Sequence, residues 1–206
     1  MISSRFFTIN RLLLLLVAGL LVLAGCDSDS GTTDEEVRGI LLDEPQQAPD
    51  FELTAHNGEP FRLSDHRGRV TAMFFGYTHC PDICPMTLMH MQDAAEELGD
   101  DAEDALFLFI SVDPEQDSPE QLAKYVERAD AEIIGLTGDR ETLESVWDAY
   151  DITVQVEPRD DGSYLISHSA QIWVVNQEGQ AEVVLPADTD GEDMAHDIRW
   201  LLERPS

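Results

Sequence analysis

The sequence predicts an α/β fold, a central sheet flanked by helices, and three observations predict it. Short apolar runs recur at 70–75, 106–112 and 133–136, each rich in β-branched or aromatic residues. Stretches with apolar residues at helical spacing separate them, as in Leu88, Met91, Ala95 and Leu98. The chain then closes on a β-hairpin and a last amphipathic helix, the order expected of helices layered on a sheet.

Taken in order, the first 25 residues stand apart from that pattern. Arg5 and Arg11 form a basic start, Leu12 to Leu23 an apolar run, and Leu23-Ala24-Gly25-Cys26 follows. The run is short for a membrane span of about 20 residues and ends in small residues, as a cleaved export signal does. Leu-Ala-Gly-Cys looks like a bacterial lipobox, implying cleavage before Cys26 and lipidation of its sulfur. Asp27 behind it resembles an inner-membrane retention signal. The expectation is a chain held at the periplasmic face of the inner membrane by a lipid anchor. Residues 26–48, rich in Asp, Ser, Thr and Glu, read as a flexible acidic tether. The folded domain is expected over 49–206.

From Phe51 the elements follow closely. Phe51 to Thr54 and Phe61 to Leu63 read as a hairpin around Asn57-Gly58. Strand 70–75 stops at Gly76, and a helix is expected over 85–98 because Pro85 suits a first turn. Ser118-Pro119-Glu120-Gln121 is a capping box opening a helix lined by Leu122, Tyr125, Val126 and Ala129. Leu143, Val146, Trp147 and Tyr150 mark another helix, and 152–156 a strand of uncertain pairing. Tyr164 to Ile166 and Gln171 to Val175 are strand-like, with Ala181 to Leu185 pairing back across Asn176-Gln177-Glu178-Gly179. Thr189-Asp190-Gly191-Glu192 reads as a second capping box, and Met194, Ile198, Leu201 and Leu202 as the buried stripe of the last helix.

Charge excludes two classes of partner. The 206 residues carry 42 acidic against 12 basic side chains, a formal charge of −30, and Lys124 is the single lysine. Loss of Arg5 and Arg11 with the leader takes the charge to −32. Nucleic acid and anionic headgroups are repelled by such a surface, which suits high salt.

With Cys26 assigned to lipid, Cys80 and Cys84 have only each other. A single pair in an oxidising compartment is no disulfide framework, which points to a chemical role. The pair lies in Tyr77-Thr78-His79-Cys80-Pro81-Asp82-Ile83-Cys84-Pro85, where a strand hands over to a helix N-terminus. Free backbone N–H groups and the helix dipole favour thiolates there. Sulfurs four residues apart face the same way on a helix and either form a disulfide or hold one soft metal. Copper(I) accepts few soft ligands, whereas structural zinc takes four, so a third donor is needed. His168 interrupts an apolar strand pattern between two serines, and on spacing alone it is either a ligand or a satisfied buried histidine. His79, His90, His56, His66 and His196 read as pointing elsewhere or as surface. Asp113 reads as a turn residue. Asp82 suits either a nearby cation or solvent, and Met73, Met86, Met89 and Met91 read as core.

The nine-residue cysteine motif is similar to the signature of the SCO/SenC family, copper proteins that assist cytochrome c oxidase assembly. The likeness continues through Ser111-Val112-Asp113-Pro114-Glu115, Ser118-Pro119-Glu120, Gly135-Leu136-Thr137-Gly138 and Ser167-His168-Ser169-Ala170, across residues 49–203. His66 departs from it, standing where an apolar or aromatic residue is expected. The resemblance implies a thioredoxin-like domain with Cys80, Cys84 and His168 as copper ligands. It also implies a metallochaperone whose partner is the copper-centre subunit of cytochrome c oxidase or another copper chaperone. The rival is a thiol–disulfide oxidoreductase in which Cys80 and Cys84 are catalytic and keep a partner's copper-ligand cysteines reduced. Against it, the spacing is Cys-x-x-x-Cys, and no proline lies between Pro158 and Pro186. A structural zinc site would need His79 or His90 as its fourth ligand.

Overall fold

A computed structural model describes residues 37–204; the leader, Cys26 and the expected tether up to residue 36 lie outside them. The centre of the molecule is strand β4, Val70–Gly76, with every residue buried. It pairs in parallel with β5, Ala105–Ser111, which pairs in parallel with β6, Ile133–Thr137. On its other side β4 runs antiparallel to β9, Gln171–Val175, itself in a hairpin with β10, Gln180–Pro186. Continuous apolar runs form these strands because both faces of the sheet are covered.

The helix α1, Ile83–Leu98, joins β4 to β5, and α2, Pro119–Val126, joins β5 to β6. Right-handed crossovers put both on one face of the sheet. Phe74 and Phe109 point to that face, and Phe109 meets Tyr125 of α2 at 5.0 Å between ring centroids. Successive strand residues alternate, so Phe75 points to the opposite face. There it meets Tyr150, which follows α3, Arg140–Ala149. The last helix, α4, Gly191–Leu202, lies against α1 so closely that a Cβ on Gly191 would come 2.4 Å from that of Asp93.

The hairpin anticipated near the start is β2, Glu52–Ala55, with β3, Pro60–Arg62, closed where Gly58 takes φ +86°. It extends the sheet at β6, giving, with β1 (Ile40–Gln47) on the opposite edge, the order β1-β10-β9-β4-β5-β6-β2-β3. His66 stacks on Phe61 at 4.5 Å and 11°, so it fills the place of the aromatic residue expected there.

Three expectations are corrected. Residues 40–47 are not tether but strand β1, Ile40–Gln47, antiparallel to β10 with an irregularity between Leu41 and Gln46. Long-range backbone pairing overrides a composition with no alternation to read. Asp197, fully buried on α4, holds the entry to β1 by accepting the N–H groups of Arg38 and Gly39, each at 2.8 Å. The second capping box is shifted by one: Asp190 caps α4, accepting from Asp193 N–H at 2.9 Å. Finally, Met86 and Met89 are exposed while Met73 and Met91 are fully buried. The buried stripe of α1 leaves the first two on the outer side.

The uncertain strand is β7, Val154–Pro158, which pairs with β8, Tyr164–His168, in a separate hairpin rather than joining the main sheet. Among the described residues no helix is long and apolar enough to cross a membrane.

Candidate metal centre

After Gly76 the chain leaves the sheet and turns. Gly76 itself is required by close packing, since a Cβ there would lie 2.7 Å from the Phe74 ring and 3.0 Å from that of Phe109. Cys80 N–H donates to Tyr77 C=O at 3.2 Å, and Asp82 sits at the cap position of α1 without a side-chain cap bond. The first-turn N–H groups of α1 are therefore free for another acceptor. Cys84 N–H finds one in Cys80 Sγ at 3.5 Å, so the helix N-terminus does face a sulfur.

Both cysteines are free thiols, Cys80 half-buried and Cys84 fully buried. Their environments drive them apart. The Cys84 thiol donates to Cys80, which, helped by the N–H groups of Asp82 and Cys84 and by His168, holds Cys80 down to about 5 despite its burial. Cys84 is pushed far up, first because it gives its proton to Cys80, then by burial and by the charge of Asp117. The surroundings thus favour negative charge on Cys80 and the protonated form of Cys84.

His168 arrives from 84 residues further on and brings its Nε2 to 3.8 Å from Cys84 Sγ. It ends β8, paired with Val154, and Ser169 just beyond exchanges hydrogen bonds with Thr153. Its ring packs edge-on against Tyr77 and Phe74. Its Nδ1–H donates to Ser169 C=O at 2.8 Å, which leaves the lone pair on Nε2, facing the thiols. Burial pushes its pKa down, keeping the imidazole neutral as a ligand must be.

The donor set fits a soft cation. Metal–ligand bonds of about 2.3 Å to sulfur and about 2.0 Å to nitrogen, about 120° apart, put the two donors about 3.7 Å from each other. Nε2 and the Cys84 sulfur are already at that separation. Among the described residues no three His, Cys, Asp or Glu side chains form a finished cage.

Of the other histidines all but His90, whose Nδ1 is buried without a hydrogen-bond partner, are engaged elsewhere. His56 Nδ1 accepts from Gly135 N–H at 3.1 Å, and His196 Nδ1 lies 3.0 Å from Asp197. His79 is exposed, its Nδ1 3.1 Å from the Thr78 hydroxyl. His90 lies half-buried on α1 beside the exposed Met89. Neither stands as a fourth ligand, and Asp82 is exposed.

Sequence reasoning missed Asp117. Its carboxylate, 0% exposed, accepts from Thr78 Oγ1 and Ser111 Oγ at 2.7 Å each and from Thr78 N–H at 3.2 Å. It pins the cysteine loop to the end of β5. Nothing in Gln116-Asp117-Ser118 marks a buried carboxylate; only the hydroxyls of Thr78, in the turn after β4, and Ser111, at the end of β5, hint at a partner. Asp113 is likewise buried, accepting from Tyr164 O–H at 2.8 Å and so tying the β7–β8 hairpin to the loop after β5.

Comparison with known proteins places this geometry. The SCO1/SenC family model matches residues 41–203. A putative copper-binding protein of Stutzerimonas stutzeri is 32% identical over 187 residues, 89% of this chain and 91% of that protein. The human mitochondrial SCO1 homolog is 34% identical over 149 residues, 71% of this chain and 50% of the relative. The chain thus spans about half the length of the human and mouse SCO1 homologs it matches. Among solved structures, copper-bound ScoI of Bradyrhizobium japonicum superposes with a TM-score of 0.70 at 32% identity, over 75% of this chain and 98% of that one. Apo Sco1 of Thermus thermophilus also gives 0.70 at 32%, over 79% and 94%. The relatives share the thioredoxin-like sheet described above.

Proposed function

This chain belongs to the SCO1/SenC family, and from that premise we propose that it is a membrane-tethered, extracytoplasmic copper carrier serving the copper centre of cytochrome c oxidase. Cys80 and Cys84 thiolates and the His168 imidazole hold the ion, and the Cys26 lipid anchor keeps the domain at the periplasmic face of the inner membrane. The observation that supports the reading is the approach of His168 Nε2 to Cys84 Sγ, 3.8 Å apart although 84 residues separate them in sequence. Two soft sulfurs with one borderline nitrogen accommodate copper in either oxidation state and leave coordination positions open to a recipient's ligands. Loading removes the Cys84 proton, so uptake is coupled to proton release. A Cys80–Cys84 disulfide would be the empty, non-binding state.

The test is copper titration of the reduced full-length protein in detergent against a competing chelator. One ion per chain is expected, lost in His168→Ala and in Cys84→Ser. Stoichiometric copper held by His168→Ala at unchanged affinity would contradict the ligand set.

The second reading, a thiol–disulfide reductase for a partner's copper-ligand cysteines, has its own support in the split between the two sulfurs. A thiolate at about 5 beside a protonated neighbour suits nucleophilic attack and then resolution of a mixed disulfide. Insulin reduction and a measured reduction potential separate the readings. Reductase turnover that survives His168→Ala favours this one, and absence of turnover in the copper-competent protein favours the carrier.

A further inference from the structure

The end of the sheet remote from the metal centre carries a groove of about 600 Å³. It touches Thr71 at the start of β4, whereas the cysteine loop follows Gly76 at the other end. Five residue steps at about 3.3 Å each separate the two places by about 17 Å along the strand.

Its charge runs against the rest of the molecule. The chain has 42 acidic and 12 basic residues, so an arginine with no carboxylate partner is unexpected. Arg38, Arg62, Arg140, Arg199 and Arg204 each bridge at least one. Four arginines among the described residues bridge none: Arg128, which lies over the Tyr125 ring, Arg159 on the β7–β8 turn, and Arg67 and Arg69, which both line this one groove. Arg69 uses one terminal nitrogen on Ala105 C=O, while its Nε is buried with no hydrogen-bond partner. A buried guanidinium N–H left unmade costs free energy, and an oxyanion is the acceptor that satisfies a guanidinium fork. Arg67 lies over the β9–β10 turn, its Nε 3.2 Å from where a Cβ on Gly179 would stand. Glycine at that position leaves the arginine room.

The one acid in the wall, Asp50, does not compete. Its oxygens already accept from Arg62 and from the backbone N–H and hydroxyl of Ser64. The remaining wall includes Ala48, Pro49, Leu63 and Val175, an apolar lining beside the guanidinium pair. A bare inorganic ion would leave that lining wet.

We propose that this groove binds a small organic anion, with a carboxylate or phosphate head on Arg67 and Arg69 and an apolar body against Ala48, Pro49, Leu63 and Val175. The groove lies outside the metal centre, so the proposal stands or falls independently of the copper reading.

Isothermal titration of the full-length protein in detergent tests it, with ionic strength held constant by chloride. The probes are phenyl phosphate, benzoate and inorganic phosphate. Saturable binding of phenyl phosphate or benzoate is expected, and whichever binds more tightly identifies the head group. Arg69→Gln should weaken it about tenfold or more, the loss of one charge-assisted hydrogen bond. Arg67→Gln, at an exposed position that folding does not need, should also weaken it, while Arg159→Gln on the distant hairpin leaves it unchanged. Copper stoichiometry should stay at the wild-type value in all three. No saturable binding by any probe would overturn the proposal, as would wild-type affinity in Arg67→Gln. Inorganic phosphate binding as tightly as phenyl phosphate would overturn the apolar subsite.

Discussion

Replacement of Asp117 is the sharpest probe of how the cysteine loop is held. Its carboxylate takes three hydrogen bonds, from Thr78 N–H, Thr78 Oγ1 and Ser111 Oγ, at a site closed to water. In Asp117→Ala the two hydroxyls can rotate to other acceptors, but the Thr78 N–H cannot. One stranded buried donor costs about 1–3 kcal/mol and two weakened hydroxyl bonds about 1 kcal/mol each, a loss of about 3–5 kcal/mol. Asp117→Asn keeps an acceptor for the N–H and should lose roughly half as much. Burial pushes the Asp117 pKa up, so the folded protein binds this proton more tightly than the unfolded chain does. Its contribution is greatest at acid pH and declines as pH rises above the ordinary carboxylate range. The wild-type advantage over Asp117→Asn should therefore shrink between acid and neutral pH. Urea unfolding of the copper-free protein across that range measures both quantities. An Ala variant within about 0.5 kcal/mol of wild type, or an advantage that grows with pH, would refute the account.

Three further outcomes are expected. Iodoacetamide should label Cys80 at a rate nearly independent of pH from 8 down to 6 and falling only near 5, while Cys84 stays unlabelled in the folded protein; peptide mapping reads this directly. Asp197→Ala strands the N–H groups of Arg38 and Gly39, so it should lower stability by about 2–4 kcal/mol and speed hydrogen exchange selectively in residues 40–47. The net charge of −30 predicts a melting temperature that climbs between low and molar sodium chloride as self-repulsion is screened; an unchanged value would remove charge as a factor in stability.

The parts of this molecule legible in its sequence are those fixed by local pattern. Strand β4 is seven apolar or small residues stopped by a glycine, and Ser118 with Pro119 opens α2 with its side chain accepting from Gln121 N–H, as the capping box requires. Strand β1 had no such pattern. Its residues are almost all exposed, and Asp43, Glu44 and Pro45 interrupt it, so only the free edge of β10 makes it a strand. The same division runs through the site. The two thiols and their helix N-terminus follow from nine consecutive residues. His168 could be suspected from its break in a strand pattern, but its role depended on a contact across 84 residues. Asp117 left no local trace, because a buried acid and an exposed one look alike until the donors around it are known.

The asymmetry of the sulfur pair links the two chemistries this fold offers. A helix N-terminus alone would lower both thiols together. The first cause of the split is the hydrogen bond that Cys84 gives to Cys80; beyond it, Cys80 is half-buried and receives two backbone N–H groups, whereas Cys84 is fully buried, receives one from Tyr77, and faces the charges of Cys80 and Asp117. The negative charge therefore settles on the outer sulfur, where an arriving cation or a partner's disulfide meets it first. The inner sulfur keeps its proton until something displaces it. For a cation, His168 Nε2 is the donor waiting beside that inner sulfur, and a third ligand rewards the proton's departure. For a disulfide no comparable group is needed, since the inner thiol only has to attack the outer sulfur. On the carrier reading the imidazole is a ligand, whereas in exchange it acts only through the help it gives the Cys80 thiolate, so a substitution at residue 168 should weigh far more on copper binding than on exchange.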